Sequence, residues 1–274
     1  MFGKNEKGFS TDLIKKKLYI LMIVLFTSLL GCHIKIQQTS NVYDSSTMKF
    51  FYKFEETSPP YVNDYSGNAN NGFIMGSKIT LNSDSYTTSQ GKCYDFTLNS
   101  STPYSYININ NTDAIYNSHE SFSVTGWIKA VSNQSYQTIL AKGRNANLNR
   151  SFFIFYHNNR RIYFYTYYNG TNANTLYSSV TLTNGQWYFF TCTWKFVTSG
   201  TSIMKIYIDG VVTASRTNCQ GPVFQTTHSL MIGAFLNSSN APGYIFRQYL
   251  DNLAFYNKVL SDIEIYNIYL SQKG

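Results

Sequence analysis

The stretch Met204–Ser215, which reads Met-Lys-Ile-Tyr-Ile-Asp-Gly-Val-Val-Thr-Ala-Ser, decides the fold. Two segments of alternating apolar and polar residues flank the pair Asp209-Gly210. An Asp-Gly pair accepts the positive φ angles of a two-residue type I′ turn, and such a turn joins neighbouring antiparallel strands. The stretch therefore predicts a β-hairpin.

The composition of the whole chain agrees with a β-rich protein. The chain has 274 residues, of which 17% are aromatic and 13% are charged, and tyrosine alone contributes 24. Aromatic and β-branched residues pack well on pleated surfaces, and this composition does not suit a disordered chain. The length fits one all-β domain of roughly 200–250 residues with a terminal segment. The sequence has no repeat with a period of roughly 20–50 residues, so it does not predict a solenoid or a propeller.

Several further segments share the alternating pattern and stand in a recognisable order around the hairpin. They are Ser121–Ala130, Gly185–Trp194, Ser229–Gly233 and Tyr249–Asn257. Near the start, Asn63–Gly72 carries the pattern Asp-x-Ser-Gly-Asn-x-x-Asn-Gly after a strand that ends in Phe54-Glu55. In this order, the segments resemble a laminin-G-like, concanavalin A-like domain over residues 49–269. The resemblance implies an all-β fold, a two-sheet antiparallel β-sandwich of the jelly-roll type.

The first residues are typical of an export signal. Lys15-Lys16-Lys17 precede the 13-residue apolar run Leu18–Leu30, which is shorter than the roughly 20 residues that span a bilayer. The run ends in Leu29-Leu30-Gly31-Cys32, which resembles a relaxed bacterial lipobox. That resemblance implies acylation of Cys32, and the alternative is an ordinary secretory signal with an incidental cysteine.

We therefore expect three segments: a lipoprotein signal peptide over 1–31, a lipidated tether over 32–47, and a laminin-G-like domain over 48–274. Residue 33, directly after Cys32, is His. Bacterial lipoproteins with Asp at that position resemble ones that are kept at the inner membrane. The resemblance thus implies an exported, lipid-anchored protein at the outer membrane or cell surface of a bacterium.

The net charge of +8 does not indicate a nucleic-acid partner. Nucleic-acid-binding domains cluster Lys and Arg on one face, whereas the basic residues here are scattered apart from Arg160-Arg161 and the loop over 142–150. Weak attraction to acidic glycans or anionic surfaces is the expectation instead.

Four cysteines stand at positions 32, 93, 192 and 219. If Cys32 is acylated, three remain. Cys192 shares strand parity with Phe190 and Trp194, which favours a buried free thiol. Pentraxin relatives of this fold carry a disulfide near this strand, but no cysteine stands at the expected partner position around 121–127. A disulfide between Cys93 and Cys219 is the remaining expectation, which an exported location allows.

Glycoside hydrolysis is the enzyme activity that this fold suggests. It needs two carboxyl groups a few ångströms apart, one as acid and one as base or nucleophile. Concanavalin-like glucanases carry a Glu-x-Asp-x-x-Glu strand motif, which this sequence lacks. No Gly-x-Ser-x-Gly motif indicates a nucleophile either. We therefore expect a protein without catalytic activity.

Calcium is the expected cofactor. Relatives of this fold often hold one calcium ion between the end of the first strand, the Asp-x-Ser-Gly-Asn loop and the closing strand. The matching residues here are Glu55, Asp64, Asn68 and Asp251, and all offer the oxygen ligands that calcium prefers. Asn252 replaces the second carboxylate of the family's usual acidic pair. The alternative is that these side chains only stabilise tight turns.

Carbohydrate binding would use aromatic rings on loops. The candidate ligand-binding residues are Tyr61, Tyr65, Tyr136, Tyr168 and Tyr244. The expected function is non-catalytic binding by a surface-anchored lipoprotein, with a glycan, matrix or extracellular protein as partner and the membrane contacted through the lipid anchor. The alternatives are a glycoside hydrolase of the same fold and a structural surface lipoprotein with no small-molecule site.

Overall fold

A computed structural model describes residues 46–57, 59–86, 91–109, 120–146 and 148–273. The predicted signal peptide, Cys32 and all of the tether except residues 46 and 47 lie outside these ranges. The described residues belong to one compact unit. No helix among them is long and apolar enough to cross a membrane.

Strands dominate the described part of the chain. The strands are β1 (Met48–Tyr52), β2 (Tyr61–Val62), β3 (Gly72–Met75), β4 (Thr80–Asn82), β5 (Cys93–Asp95), β6 (Tyr106–Ile109), β7 (Ser121–Lys129), β8 (Gln137–Gly143), β9 (Arg150–Tyr156), β10 (Ile162–Tyr167), β11 (Ala173–Tyr177), β12 (Trp187–Lys195), β13 (Ser202–Ile208), β14 (Val211–Cys219), β15 (Leu230–Ile232), β16 (Phe235–Leu236), β17 (Pro242–Gly243) and β18 (Tyr249–Tyr256). The helix α1 covers Asp262–Lys273.

The strands form two large sheets and one small hairpin. The first sheet has the order β14-β13-β12-β7-β18-β5-β4, with β1 also paired to β18. The second sheet has the order β11-β10-β9-β8-β15-β6-β3-β2, and β16 pairs with β17. Neighbouring strands run antiparallel, as in the central pairs β7–β12 and β8–β9. The predicted all-β, two-sheet antiparallel jelly roll is confirmed.

The main core lies between the two large sheets. Every second side chain of β9 and β10 points into it, because side chains alternate between the faces of a strand. Phe152, Ile154, Ile162 and Phe164 are all fully buried there. Burial of each such side chain contributes about 1.5–3 kcal/mol, so the alternation seen in the sequence determines which face of each sheet turns inward.

The predicted hairpin joins β13 to β14. Asp209 and Gly210 have φ angles of 51° and 77°, and Ile208 pairs with Val211 across the turn. The Asp209 carboxylate also accepts a hydrogen bond from the Phe189 amide at 2.9 Å. The prediction of a type I′ turn is confirmed. The Asp209 side chain also fastens the hairpin to β12.

The helix α1 covers the outer face of the first sheet. Ser261 and Glu264 form a capping box, since the Glu264 amide donates to the Ser261 hydroxyl and the Ser261 amide donates to the Glu264 carboxylate. Ile265 and Ile268 are buried with Trp127 in a cluster under the helix. No described helix covers the outer face of the second sheet, where Phe235 packs on Phe153 instead.

The predicted disulfide between Cys93 and Cys219 is wrong. Both thiols are free and buried, as is that of Cys192. Cys93 lies on β5 and Cys219 on β14, which are five strand positions apart in the first sheet. At about 4.8 Å per strand, this separation far exceeds the roughly 4.4–6.8 Å between Cα atoms that a disulfide requires.

Candidate functional site

A continuous group of aromatic side chains lies on the outer face of the second sheet. We call it the aromatic face, and it consists of Tyr136, Phe153, Phe155, Tyr163, Tyr165, Tyr167, Phe235 and Tyr244. Strand alternation places these residues together: β10 presents a tyrosine at every second position, and β9 presents two phenylalanines beside them. Contiguous apolar groups at a surface mark interaction sites, and here the tyrosines provide the solvent-accessible part of the group.

The small β16–β17 hairpin completes the aromatic face from above the sheet. Phe235 stacks on Phe153 and on Tyr244, with ring centroids 4.8 Å apart in each pair. Phe153, Phe155 and Phe235 are buried, whereas Tyr244 is 42% exposed. The face therefore has a floor of buried phenylalanines and a rim of tyrosines, of which Tyr244 is exposed and the others are half-buried.

The tyrosine hydroxyl groups of the rim lie near one another. Burial raises the pKa of Tyr165, and the neighbouring Tyr136 hydroxyl raises it further. Burial also raises the pKa of Tyr167, the charge of Arg150 partly offsets that rise, and Tyr244 adds a smaller increase. These phenols stay protonated at neutral pH and can donate and accept hydrogen bonds beside an apolar surface. This combination suits a ligand with both apolar and hydroxyl-bearing faces.

Two of the five predicted ligand-binding tyrosines belong to this face. Tyr136 and Tyr244 meet edge to face there, with ring centroids 5.8 Å apart. Tyr61 lies instead on β2, against Phe73 of β3 and 62% exposed. The structure brings the first two together across more than 100 positions of sequence and leaves Tyr61 at the far edge of the second sheet.

The other two predicted tyrosines lie outside the face. The Lys53 ammonium stands 4.8 Å from the ring centroid of Tyr65, which is close enough for a cation–π contact. Tyr168 is half-buried in the turn after β10, where its amide donates to the Asn172 carbonyl. Neither residue joins the rings of the aromatic face.

The tyrosines of β10 are not among the predicted ligand-binding residues, because that prediction took aromatic residues from loops. A signal was present: Tyr163, Tyr165 and Tyr167 alternate with inward-facing residues, so all three share one face of the strand. On a strand whose other face is already apolar, tyrosines at every second position indicate a second aromatic surface.

The four predicted calcium ligands divide into two groups. Asp64 accepts hydrogen bonds from the amides of Phe51, Ser66 and Asn70, at 2.8–2.9 Å. The Asn68 amide group donates to the carbonyl of Met48 at 2.7 Å. These bonds fasten the Asp-x-Ser-Gly-Asn loop onto β1, so the turn-stabilising role accounts for this pair.

The half-buried Glu55 and the buried Asp251 lie in a separate acidic region. Asp251 on β18 is 1% exposed and accepts hydrogen bonds from Ser85 Oγ at 3.2 Å and from the Asn252 amide at 2.8 Å. Burial raises the pKa of Asp251 well above its usual range, and the charges of Glu55 and Glu56 raise it further. A carboxylate in this setting would be stabilised by a cation.

The acidic region is only partly arranged for a metal. Glu55 uses one oxygen to accept the Lys92 amide at 2.8 Å, and Glu56 accepts the Asn63 amide at 2.9 Å. Within the described ranges, no three His, Cys, Asp or Glu side chains are grouped closely enough to hold a metal ion. Glu55, Glu56 and Asp251 have the hard oxygen donors that suit calcium, although each already accepts a hydrogen bond, and the Asp64 carboxylate is engaged by three backbone amides. Calcium binding stays a prediction.

A family model described as the concanavalin A-like lectin/glucanases superfamily, of the laminin G type, matches residues 99–266. These residues run from the loop before β6 into α1 and include the whole aromatic face. No curated protein matches the chain.

Solved structures with the same fold include several toxin domains. The binding domain of Paraclostridial Mosquitocidal Protein 1 superposes with a TM-score of 0.62 and 14% identity, over 83% of this chain and 52% of that one. A second structure concerns botulinum neurotoxin type C, a toxin whose cell entry depends on interaction with two ganglioside molecules. It superposes with a TM-score of 0.61 and 17% identity, over 85% of this chain and 53% of that one. The binding domain of botulinum neurotoxin DC in complex with rat synaptotagmin II superposes with a TM-score of 0.61 and 17% identity, over 83% of this chain and 52% of that one. The chain thus spans about half the length of these structures, and at these identities they establish the fold alone.

Proposed function

The chain belongs to the concanavalin A-like lectin/glucanases superfamily, and we propose that it is a non-catalytic binding protein that recognises glycans through the aromatic face. The observation that supports this most is the arrangement of rings on the outer face of the second sheet. Buried Phe153, Phe155 and Phe235 hold a rim of partly exposed tyrosines that carry neutral hydroxyl groups. Tyrosine supplies rigid contact area at a low cost in conformational entropy, which favours recognition.

The similar structures support binding as the kind of function. Two of them concern toxins that engage gangliosides or a synaptotagmin, and another is named as a binding domain. Those partners belong to those toxins. For this chain, the likeness supports a recognition role with a glycan or a protein as partner.

The composition of the face argues against glycoside hydrolysis there. Hydrolysis requires two carboxyl groups flanking the scissile bond. The eight residues of the aromatic face include none, and the buried carboxylate of Asp251 lies in the first sheet. Binding without catalysis is therefore the function that this surface favours.

A glycan array probed with the full-length protein tests the proposal. We expect wild-type protein to bind a defined set of glycans, and Tyr165→Ala to lose that binding while remaining folded by circular dichroism. Tyr61→Ala, on β2 outside the face, is the matched control and should bind as wild type does. Retention of every glycan signal by Tyr165→Ala would contradict the proposal. Absence of all glycan binding would favour a protein partner or a purely structural role.

Calcium is the cofactor that we propose for the acidic region around Asp251, with Glu55 and Glu56 beside it. A ligand that binds only the native state raises the melting temperature by mass action. We expect millimolar calcium to raise the melting temperature over that in chelator. Asp251→Asn should abolish the shift, whereas Asp64→Asn should lower stability and keep the shift. An unchanged melting temperature in calcium would contradict the proposal.

Anchoring through Cys32 completes the proposed function. The export signal and the Leu29–Cys32 sequence support acylation, and two or more acyl chains would hold the domain stably at a membrane surface. We expect the protein to fractionate with bacterial membranes and Cys32→Ser to abolish acyl labelling. Equal labelling of the wild type and the variant would contradict the anchor.

A further inference from the structure

The helix α1 carries apolar side chains on two of its sides. Ile265 and Ile268 are buried against the first sheet. Ile263, Tyr266 and Leu270 are 68%, 46% and 49% exposed. Their spacing of three and four residues places them in one row along the helix, which we call the α1 stripe. Because the other row already packs on the sheet, the α1 stripe is a second apolar surface, of the kind that marks an interaction site.

The β13–β14 hairpin holds the α1 stripe in place and extends it. Gly210 in the turn lies against the helix, since a Cβ atom there would be 2.9 Å from Tyr266 Cδ2. Val212 pairs with Tyr207, whose side chain packs beneath α1. Residues opposite each other on paired strands point to the same face, so Val212 lies on the helix side of the sheet, where it is exposed. The apolar surface therefore continues from α1 onto the edge strand β14.

Opposite charges stand at the two ends of the α1 stripe. Asp262 begins the helix and Lys273 ends it, 11 positions later. At about 3.6 residues per turn this is close to three full turns, so both charges lie on the same side of the α1 stripe. Asp262 Oδ1 accepts hydrogen bonds from Lys205 and Tyr207, whereas its Oδ2 has no partner among the described residues. Lys273 belongs to none of the ion pairs within the described ranges.

This pattern is complementary to itself. If two copies of α1 pack antiparallel about a two-fold axis, Ile263 of each copy lies opposite Leu270 of the other, and Tyr266 lies near the axis. Asp262 of each copy then faces Lys273 of the other, and the helix dipoles run in favourable opposite directions. We propose that the α1 stripe is the interface of a homodimer, formed with a second copy of this protein.

The charge pattern favours a second copy over a membrane surface. Anionic lipids attract clusters of Lys and Arg. The first turn of α1 instead carries two carboxylates, Asp262 and Glu264, and its last turn carries one lysine. The acidic end of the α1 stripe would be repelled by an anionic bilayer, whereas it attracts the basic end of another α1.

A dimer of this kind leaves both aromatic faces free. The helix α1 covers the outer face of the first sheet, and the aromatic face lies on the outer face of the second sheet. The two surfaces are therefore on opposite sides of the sandwich. The homodimer would present two aromatic faces that point away from each other, so the inference adds an assembly to the proposed function without depending on its ligand.

Sedimentation velocity of the full-length protein tests the interface. One short helix per copy makes a small interface, so we expect a dissociation constant in the micromolar range or weaker, and the protein is measured from about 5 µM to about 500 µM. Wild type should shift from monomer to dimer across this range. Ile263→Glu and Leu270→Glu should each weaken association about tenfold or more and stay folded by circular dichroism, because both side chains are exposed in the monomer.

The matched control makes the same substitution at an exposed leucine far from α1 in sequence. Leu98 lies in the turn after β5, and Leu98→Glu should associate as wild type does. This control separates loss of the α1 contact from a general effect of added negative charge.

Exchange of the end charges tests the antiparallel arrangement. Asp262→Lys and Lys273→Glu should each weaken association about threefold or more, because like charges then face each other twice in the dimer. A mixture of the two variants should recover it, because each mixed pair again joins a cation to a carboxylate at both ends. Lys273→Glu changes a fully exposed side chain and serves as the check if Asp262→Lys, which loses the Tyr207 bond, is less stable.

Three outcomes would overturn the inference. They are a monomer at every concentration, association that Leu270→Glu leaves unchanged, and a mixture of the charge variants that associates no better than either alone. None of these outcomes bears on the glycan array, so the proposed function would stand or fall separately.

Discussion

The ring of Tyr244 stacks on the ring of Phe235, with centroids 4.8 Å apart and planes inclined by 15°. This contact sits at the base of the β16–β17 hairpin and joins it to the aromatic face of the second sheet. Phe235 is buried and Tyr244 is 42% exposed, so one ring fixes the position of the other. Tyr244 is thereby packed against a buried ring while part of its own side chain stays exposed.

Removal of the Tyr244 ring should impair binding more than stability. Tyr244→Ala should weaken glycan binding about tenfold or more, as expected for a rigid aromatic contact residue, and should lower the free energy of unfolding by no more than about 1 kcal/mol. Isothermal titration and urea denaturation measure the two effects. Tyr61→Ala, at a similarly exposed tyrosine outside the face, should change neither binding nor stability by a comparable amount. Equal binding losses in both variants would argue against a site at the aromatic face.

The absence of the predicted disulfide leads to a redox prediction. Cys93, Cys192 and Cys219 are free and buried, and burial raises the pKa of each thiol. Such thiols react slowly, because the thiolate is the reactive form. A reductant should therefore leave the melting temperature unchanged, and labelling of these three thiols should be slow in the native protein and rapid in urea. A fall of several degrees in reductant would indicate a disulfide that stabilises the fold.

Local patterns in the sequence were enough to predict the hairpin and the fold class. Asp209-Gly210 specifies its turn by backbone preference alone, and the structure gives both residues positive φ angles. The register of β13 and β14 then follows from the turn. Alternation in β9 and β10 likewise predicts which side chains are buried, because the period of a strand is two residues.

The functional surfaces could be predicted only in part, because they combine distant segments. Tyr136 and Tyr244 were identified as loop aromatics, yet nothing local to either residue shows that their rings meet. The four predicted calcium ligands were grouped by resemblance. Asp64 instead bonds to amides around its own loop, and Asp251 is buried beside Ser85. Competition between backbone amides and a metal for the same carboxylate depends on geometry that a linear pattern does not contain.

A hydrogen bond between Trp127 and Gln272 fastens α1 to the first sheet. Trp127 Nε1 donates to Gln272 Oε1 at 2.7 Å, and Gln272 is 5% exposed. Gln272→Leu should lower the free energy of unfolding by about 1–3 kcal/mol, because the buried indole donor loses its acceptor. Urea denaturation followed by tryptophan fluorescence measures the change. Gln272→Glu keeps an acceptor at the same place and should be less harmful at acidic pH. A neutral Gln272→Leu variant would show that this bond is dispensable.

The buried carboxyl of Asp251 should make stability fall as pH rises in the absence of calcium. Burial raises its folded-state pKa, and the charges of Glu55 and Glu56 add to the increase, whereas the unfolded chain titrates near about 3.9. Between the two values the native state binds more protons than the unfolded state, so the free energy of unfolding decreases with increasing pH, by at most about 1.4 kcal/mol per pH unit for one group. Asp251→Asn cannot ionise and should lack this component.

The test is the difference in unfolding free energy between Asp251→Asn and wild type, measured in chelator from pH 4 to pH 8. We expect the variant to gain on the wild type as pH rises, and we expect calcium to remove that advantage by stabilising the charged carboxylate of the wild type alone. Asp262→Asn, at an exposed carboxylate whose pKa is lowered by its bonds to Tyr207 and Lys205, should behave oppositely: measured also below pH 4, it should lose stability relative to the wild type as pH rises to about 4, and the difference should be constant at higher pH. A pH-independent difference for Asp251→Asn would mean that Asp251 titrates alike in the folded and unfolded chains, and the electrostatic reason for a cation at this site would then be lost.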